Sequence, residues 1–476
     1  MNFRIILSGL TLSLPFCFLF SCSDPEERAE TGDQSELSGY PLIGEANPVR
    51  CRELEFRPTG QAGQPLFESL PSNQTGVDFQ NLIQEDHPMR HLYATEKVCG
   101  GVAVGDLDGD GRPDLFFTNG PSANGLFLQK SAMNFVDATE ASGLPGGDSW
   151  GAGAAMIDID GDGDLDIYVA NYGKPNQLYV NKGDATFEEK AAEFGLAYVS
   201  ASHMPTFCDY DKDGDLDLYL LTNRYHSPKG QPKAEDVLRF EVVNGAGRIK
   251  YTDPTLGFYF RPFQSGKAPD GRPIFNIQKV GQADVLFRND GGRFVDVSKE
   301  SGIYGVGFGL SATWWDYNQD GWVDLWVGND FDDPDRVYRN NGDGTFTDVV
   351  KDIVPHTSWF SMGADFADLN GDQKPDLICG KAYGRLEYFR NTGTKFVAVV
   401  GTLSPFDNIQ KGVYSAPAFT DLDGDGDQDI IVGSYMPFYL PVDTVYIPKV
   451  GAVRSRLTFF RNTGTRQAAA FVEEYP

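Results

Sequence analysis

An all-β chain assembled from one repeated four-stranded unit is the fold class this sequence predicts. Three observations carry the prediction: an acidic nonapeptide recurs at a near-constant interval, strand-length apolar runs follow each copy, and an Asn-Gly type turn recurs behind them. With 476 residues the chain is longer than one core usually grows, so several domains or a repeat array must account for it. A hydrophobic content of 41%, an aromatic content of 13% and 54 glycines fit a packed, turn-rich protein rather than a disordered one.

The acidic stretches are DLDGDGRPD (Asp106 to Asp114), DIDGDGDLD (Asp158 to Asp166), DYDKDGDLD (Asp209 to Asp217), DYNQDGWVD (Asp316 to Asp324), DLNGDQKPD (Asp368 to Asp376) and DLDGDGDQD (Asp421 to Asp429). Their first aspartates are separated by 52, 51, 107, 52 and 53 residues, so the third interval is nearly two periods. Inside it, PDGRPIFNIQKVGQADVLF can be laid over GDGRPDLFFTNGPSANGLF, which leaves two readings open: a unit whose acidic loop has decayed, or an insertion one period long.

Each unit begins with small apolar residues such as GAGAAMI, turns through the acidic loop, and continues as a short strand such as DIYVAN or DLWVGN. An aromatic strand, a turn and a closing strand follow, as in LYVNKGDATF, LFRNDGGRF, VYRNNGDGTF and YFRNTGTKF. Asn and Gly accept positive φ, which suits hairpins. Four strands per period of about fifty residues is the arithmetic of a propeller blade, and a closed ring protects sheet edges that a flat array would expose. The sequence therefore predicts a β-propeller of four-stranded blades, seven favoured over six, with the acidic loops in β-hairpins. The opening segment LFESLPSNQTGVDF resembles a closing strand, so it is expected to complete a last blade left unfinished at the C-terminus.

At the N-terminus Arg4 precedes the apolar run IILSGLTLSLPFCFLF, and the charged SCSDPEERAE follows it. That is the form of an export signal, and an apolar run sixteen residues long is short for a spanning helix. LFSC resembles a bacterial lipobox with Cys22 as the lipidated residue, although Phe20 is bulky for its place; an ordinary cleaved signal is the alternative. Residues 1–21 are read as a lipoprotein signal peptide, 22–65 as a flexible tether without apolar period, and 66–476 as the propeller. The expected location is the cell envelope, as an outer-membrane lipoprotein facing the periplasm or the surface, with the membrane engaged only through the anchor.

Cys208 and Cys379 lie beside or inside apolar strands and read as buried free thiols, whereas Cys51 and Cys99 could pair in an oxidising compartment, which spacing alone does not establish.

With six acidic loops, each followed by a β-strand and accompanied by segments such as GAGAAMID and MGADFAD, the chain resembles FG-GAP or VCBS repeat proteins over roughly residues 65–476. The propeller of integrin α-subunits has that form, as do exported bacterial proteins related to cartilage acidic protein, whose extra C-terminal domain is not evident here.

A hard divalent cation takes six or seven oxygens, and a loop with carboxylates at positions 1, 3, 5 and 9 and a backbone carbonyl at position 7 can wrap one. The expected calcium ligands are Asp106, Asp108, Asp110, Arg112 and Asp114; Asp158, Asp160, Asp162, Asp164 and Asp166; Asp209, Asp211, Asp213, Asp215 and Asp217; Asp316, Asn318, Asp320, Trp322 and Asp324; Asp368, Asn370, Asp372, Lys374 and Asp376; and Asp421, Asp423, Asp425, Asp427 and Asp429. In each set the fourth residue named offers only its carbonyl. Asn318 and Asn370 each remove one charge but keep an oxygen, Gln373 stands where glycine is expected, and the decayed unit keeps only Asp270, where no ion is expected. An EF-hand would need a bidentate Glu at position 12, and Phe117, Val169 and Val327 stand there instead. About six structural ions would offset 12 of the 28 net negative charges, so the acidity does not call for a basic partner, and it disfavours nucleic acid.

Beyond the metal, five histidines are present: His87, His91, His203, His226 and His356. His87 and His91 would share a face only on a helix, which Pro88 disfavours. No nucleophile with its base is evident, and the chain is read as no enzyme. The expected role is a binding or adhesion module for a protein or glycan, with a polysaccharide lyase or glycosidase and a scaffold subunit as alternatives. Trp150, His203, Trp314 and Trp359 are each read as standing just before an inner strand, near the channel mouth, and are candidates for a ligand platform, core packing being the competing reading. The nonrepeating segments YHSPKGQPKAEDVLRF and YMPFYLPVDTVYIPKV are the places for specificity.

Overall fold

Small residues before each acidic loop and branched or aromatic residues after it divide the labour between strands. The computed structural model describes residues 70–81, 100–224 except 121, 145, 146 and 148, 239–279 except 244–245, 251–259 and 268–272, and 281–474 except 304, 331–332, 359, 383–384, 408, 410–412, 423–426, 437–453 and 464–468. The signal, the tether, Cys22, Cys51, Cys99, His87, His91, His226, Asp270 and Trp359 lie outside the described residues.

The first sheet is β1 (Val102–Gly105), β2 (Asp114–Phe117), β3 (Gly125–Ser131) and β4 (Asn134–Asp137), each antiparallel to the next. The second is β5 (Gly151–Ile157), β6 (Asp166–Pro175), β7 (Gln177–Asn181) and β8 (Phe187–Glu189). The third starts with β9 (Val199–Cys208) and β10 (Asp217–Thr222); two separate hairpins follow, β11 (Arg239–Val243) with β12 (Ala246–Lys250) and β13 (Phe260–Lys267) with β14 (Pro273–Lys279). It is completed by β15 (Val285–Asn289) and β16 (Phe294–Asp296). Then come β17 (Gly309–Trp315), β18 (Asp324–Asn329), β19 (Arg336–Asn340) and β20 (Phe346–Asp348); β21 (Ser361–Ala367), β22 (Asp376–Lys381), β23 (Glu387–Asn391) and β24 (Phe396–Val399); and β25 (Val413–Thr420), β26 (Asp429–Met436), β27 (Arg454–Asn462) and β28 (Phe471–Glu474). The first strands run side by side in the order β1, β5, β9, β17, β21, β25. The fold is a β-propeller, and every acidic loop is the turn of a first hairpin, flanked by strands and not by helices.

Close approach of the first strands explains their small residues. A Cβ on Gly101, just before β1, would sit 2.9 Å from the Gly153 Cα, and one on Gly363 would sit 3.0 Å from the Ala416 Cβ. Between consecutive blades lie the hydrophobic cores: Phe116 and Leu126 with Ile167 and Val169, Tyr168 and Leu178 with Leu218 and Val285, Tyr219 and Leu286 with Leu325 and Val327, Trp326 and Val337 with Leu377 and Phe389, and Ile378 and Tyr388 with Ile430 and Phe460.

The described residues give each of the six acidic loops a four-stranded unit, the second and third joined into one eight-stranded sheet where β6 pairs with β9. The segment read as a possible decayed unit is split: Pro273–Lys279 pairs within its own hairpin, while Val285–Asn289 fills the open edge of β10. One expectation is corrected. The opening segment does not finish the last sheet, which draws all four strands from Val413 onward. Its described part, from residue 70, is a single helical turn, α1 (Ser72–Thr75), after which Val77 and Phe79 pack on Phe117, Phe127 and Phe135 of the first blade.

Candidate metal centres

Position 9 of each loop is the structural pivot. Asp114, Asp166, Asp217, Asp324, Asp376 and Asp429 are at most 1% exposed, although each carries a carboxylate. In five loops one oxygen accepts the N–H of position 2: Leu107 on Asp114 at 2.8 Å, Ile159 on Asp166 at 2.9 Å, Tyr210 on Asp217 at 3.2 Å, Tyr317 on Asp324 at 3.2 Å and Leu422 on Asp429 at 2.8 Å. In the fifth loop the Tyr388 hydroxyl donates to Asp376 at 2.6 Å, and the Asn370 amide at 3.1 Å. The other oxygen accepts an N–H from the third strand, at 2.7–2.8 Å from Gln129, Asn181, Asn289, Asn340, Asn391 and Asn462 in turn. Burial pushes Asp166 and Asp324 up to about 7, Asp217 to about 8 and Asp376 to about 6, outweighing these donors.

Positions 1 and 5 shape the turn. The Asp106 carboxylate accepts the N–H groups of Asp110 and Gly111, and Asp209, Asp316 and Asp368 repeat the pattern in loops three to five, whereas Asp158 accepts from Gly161 and Gly163. Asp110, Asp162, Asp213, Asp320 and Asp372 accept the N–H of position 7, from Arg112, Asp164, Asp215, Trp322 and Lys374, at 2.9–3.0 Å. Asp110 also meets the Arg112 guanidinium, and Asp108 the Lys130 ammonium at 2.6 Å.

Positions 1, 3 and 9 converge. In the first three loops Asp106, Asp108 and Asp114, then Asp158, Asp160 and Asp166, then Asp209, Asp211 and Asp217 each bring three carboxylate oxygens within 4.8 Å of one another. One oxygen of Asp108 and one of Asp211 are buried without a hydrogen-bond partner. Burial first, and like charge from Asp213 next, raise the Asp211 carboxyl above its ordinary range. An all-oxygen set of acceptors, crowded and incompletely satisfied, fits a hard divalent cation. In loops four and five the amides at position 3 supply donors instead: Asn318 to Asp320 at 2.8 Å, and Asn370 to Asp376. Asp421 and Asp427 of the sixth loop are described, whereas Asp423 and Asp425 are not.

Sequence reasoning missed the asparagines that end the third strands. They were read as turn formers, yet Asn181, Asn289, Asn340, Asn391 and Asn462 fix position 9 through their own N–H groups. The signal was present as the recurring Asn in VNKG, RNDG, RNNG and RNTG.

Of the described platform candidates, Trp150 and His203 are buried and Trp314 is half-buried. Trp150 is buried against Gly120, and Trp314 packs edge-on to Tyr219 with ring centres 6.2 Å apart. His203 is buried where β9 bulges between Ser202 and Met204; neither ring nitrogen has a partner, and burial pushes its pKa down to about 4. His356 is exposed, 3.8 Å from Glu387. Of the thiols, Cys379 is buried and Cys208 half-buried, both free.

An FG-GAP-like repeat pattern matches residues 106–169, 158–220, 316–379 and 368–432, each match starting at the first aspartate of an acidic loop. Cartilage acidic protein 1 of Homo sapiens is 26% identical over 428 residues, covering 78% of this chain and 60% of that protein, and the Mus musculus protein is 26% identical with 78% and 61% covered. The chain thus spans about 60% of the length of these curated relatives. Among solved structures, an Agrocybe aegerita lectin described for recognition of non-reducing terminal N-acetylglucosamine aligns with a TM-score of 0.41 at 16% identity, covering 75% of this chain and 80% of that one. Acidic hairpins, four-stranded blades and the position of the repeats agree: the chain is a β-propeller that carries FG-GAP-like repeats in four places and is homologous to cartilage acidic protein 1.

Proposed function

We propose that this chain is a calcium-stabilised propeller, exported and held at the cell envelope by a lipid on Cys22, that binds a protein or glycan. The observation that carries the calcium reading is the convergence of positions 1, 3 and 9 in the first three loops, with buried carboxylate oxygens of Asp108 and Asp211 left unsatisfied. Calcium bound there would neutralise the crowded carboxylates. The chain's own residues do the rest: position 9 holds the strand-two end of the loop through backbone N–H groups, yet each carboxylate oxygen keeps a lone pair for a ligand. Positions 5 and 7 close the turn.

Acidic loops occupy the turns between first and second strands, whereas the nonrepeating segments fall in sequence between second and third strands, after β10 and at the end of β26. Segments that break the repeat suit selective contact.

Elemental analysis and a thermal melt test the calcium reading: about six ions per chain and a melting temperature lowered by chelator are expected, and a melt indifferent to chelator would refute it. Protein and glycan arrays, with and without calcium, test the binding role. Turnover of an acidic polysaccharide would replace that role with a lyase, and membrane-fraction protein lacking acylation at Cys22 would refute the anchor.

A further inference from the structure

We infer that the acidic loops are not independent: among the described residues, side-chain amides from neighbouring blades tie loops one and two into one coupled group and loops three to five into another, so that cations fill each group cooperatively. The inference rests on the calcium reading above and specifies its regulation.

Position 2 of a loop lies between two candidate ligands, positions 1 and 3, so its peptide groups move when those carboxylates are drawn onto an ion. Its N–H is bound to position 9 of the same loop. Its carbonyl is bound by the next blade: Asn181 Nδ2 donates to the Leu107 oxygen, Asn340 Nδ2 to the Tyr210 oxygen and Asn391 Nδ2 to the Tyr317 oxygen, each at 2.9 Å. Each of these asparagines also gives its own N–H to position 9 of its own loop, namely Asp166, Asp324 and Asp376. One residue therefore grips the ligand segment of one loop with its side chain and the buried carboxylate of the next with its backbone.

The contacts continue from Asp217 through Tyr210, Asn340, Asp324, Tyr317 and Asn391 to Asp376. Direct contacts between loops run alongside. The Lys212 ammonium of loop three lies 4.3 Å from the centre of the Trp322 ring in loop four, and Gln319 of loop four donates to the Gln373 carbonyl of loop five at 2.5 Å. Between loops two and three only the own-loop half of the pattern is found among the described residues: the Asn289 amide donates to Leu216 at 3.3 Å, as Asn181 and Asn391 do to Leu165 and Pro375 at 3.0 Å, without their second bond to the neighbouring loop. Ordering one loop on a cation thus removes freedom that its partner would otherwise lose on binding, which is positive coupling.

The test uses the whole chain labelled with 5-fluorotryptophan, calcium chloride as titrant and fluorine NMR as readout. The Trp322 resonance, identified by its loss in Trp322→Phe, reports loop four. Removing loop-three ligands with Asp209→Asn and Asp211→Asn is expected to raise the calcium midpoint of that resonance by about 5-fold or more. Removing loop-two ligands with Asp158→Asn and Asp160→Asn is expected to leave it unchanged. In an Asn340→Ala background the loop-three variant is expected to lose its effect on loop four, which is the signature of coupling through that amide. Should Asn340→Ala fail to fold, the two ligand variants decide alone. If calcium binds and the loop-three variant leaves the Trp322 midpoint in place, or the loop-two variant shifts it equally, the coupling is overturned and the calcium reading stands. If elemental analysis finds no calcium in the wild type, both fall.

Discussion

Gly153 faces the backbone of the next blade so closely that a Cβ would lie 2.4 Å from the His203 carbonyl oxygen. Neither atom can give way without moving a strand. Gly153→Ala is therefore expected to destabilise the fold by about 2 kcal/mol, as overpacking of a tight contact does, read as a lower urea midpoint at unchanged m-value.

Position 9 and position 5 carry the same side chain in different surroundings. Asp324→Ala leaves the buried N–H groups of Tyr317 and Asn340 without an acceptor, which costs about 2–4 kcal/mol. Asp320 is exposed, so Asp320→Ala is expected to change stability in chelator by no more than about 0.5 kcal/mol. Urea unfolding in chelator separates the two, and equal losses would contradict the distinction.

Calcium should act on stability by mass action. A site saturated about 100-fold above its dissociation constant adds about 2.7 kcal/mol, so the melting temperature is expected to climb with calcium through the millimolar range and not to plateau at micromolar levels. Magnesium, smaller and slower to shed water, is expected to give a weaker rise in the same scan.

The pH dependence in chelator has a defined sign. Burial holds the Asp284 carboxyl up at about 7, outweighing hydrogen bonds from Thr222 and Tyr219, and burial does the same to Asp335 and Asp365, each at about 7. The folded chain keeps these protons where the unfolded chain, with carboxyls near about 4, has released them. Stability is fully present below about pH 4 for these groups and declines as pH rises through about 7. Asp284→Asn is expected to gain stability relative to the wild type between about pH 5 and about pH 8, measured by urea unfolding at each pH; a constant difference would contradict the shift.

Burial first, and then the charges of Asp335 and Glu387, push the Cys379 thiol well above its ordinary range. It is expected to resist iodoacetamide in the folded chain and to react once urea exceeds the unfolding midpoint, with peptide mass spectrometry as the readout.

The period, the hairpin placement of the acidic loops and the four-stranded repeat were all legible in the sequence, because alternation, turn residues and carboxylate spacing act over a few neighbouring positions. The tertiary structure alone decided that Val285–Asn289 joins β10, that Phe79 serves the first blade, that Trp150 is core and that Trp314 is half-buried against Tyr219. It also decided the double grip of Asn340, whose partner carbonyl on Tyr210 stands 130 residues away. Which edge is open, and which buried oxygen needs a donor, depends on strands brought together across the ring, and no local pattern encodes that.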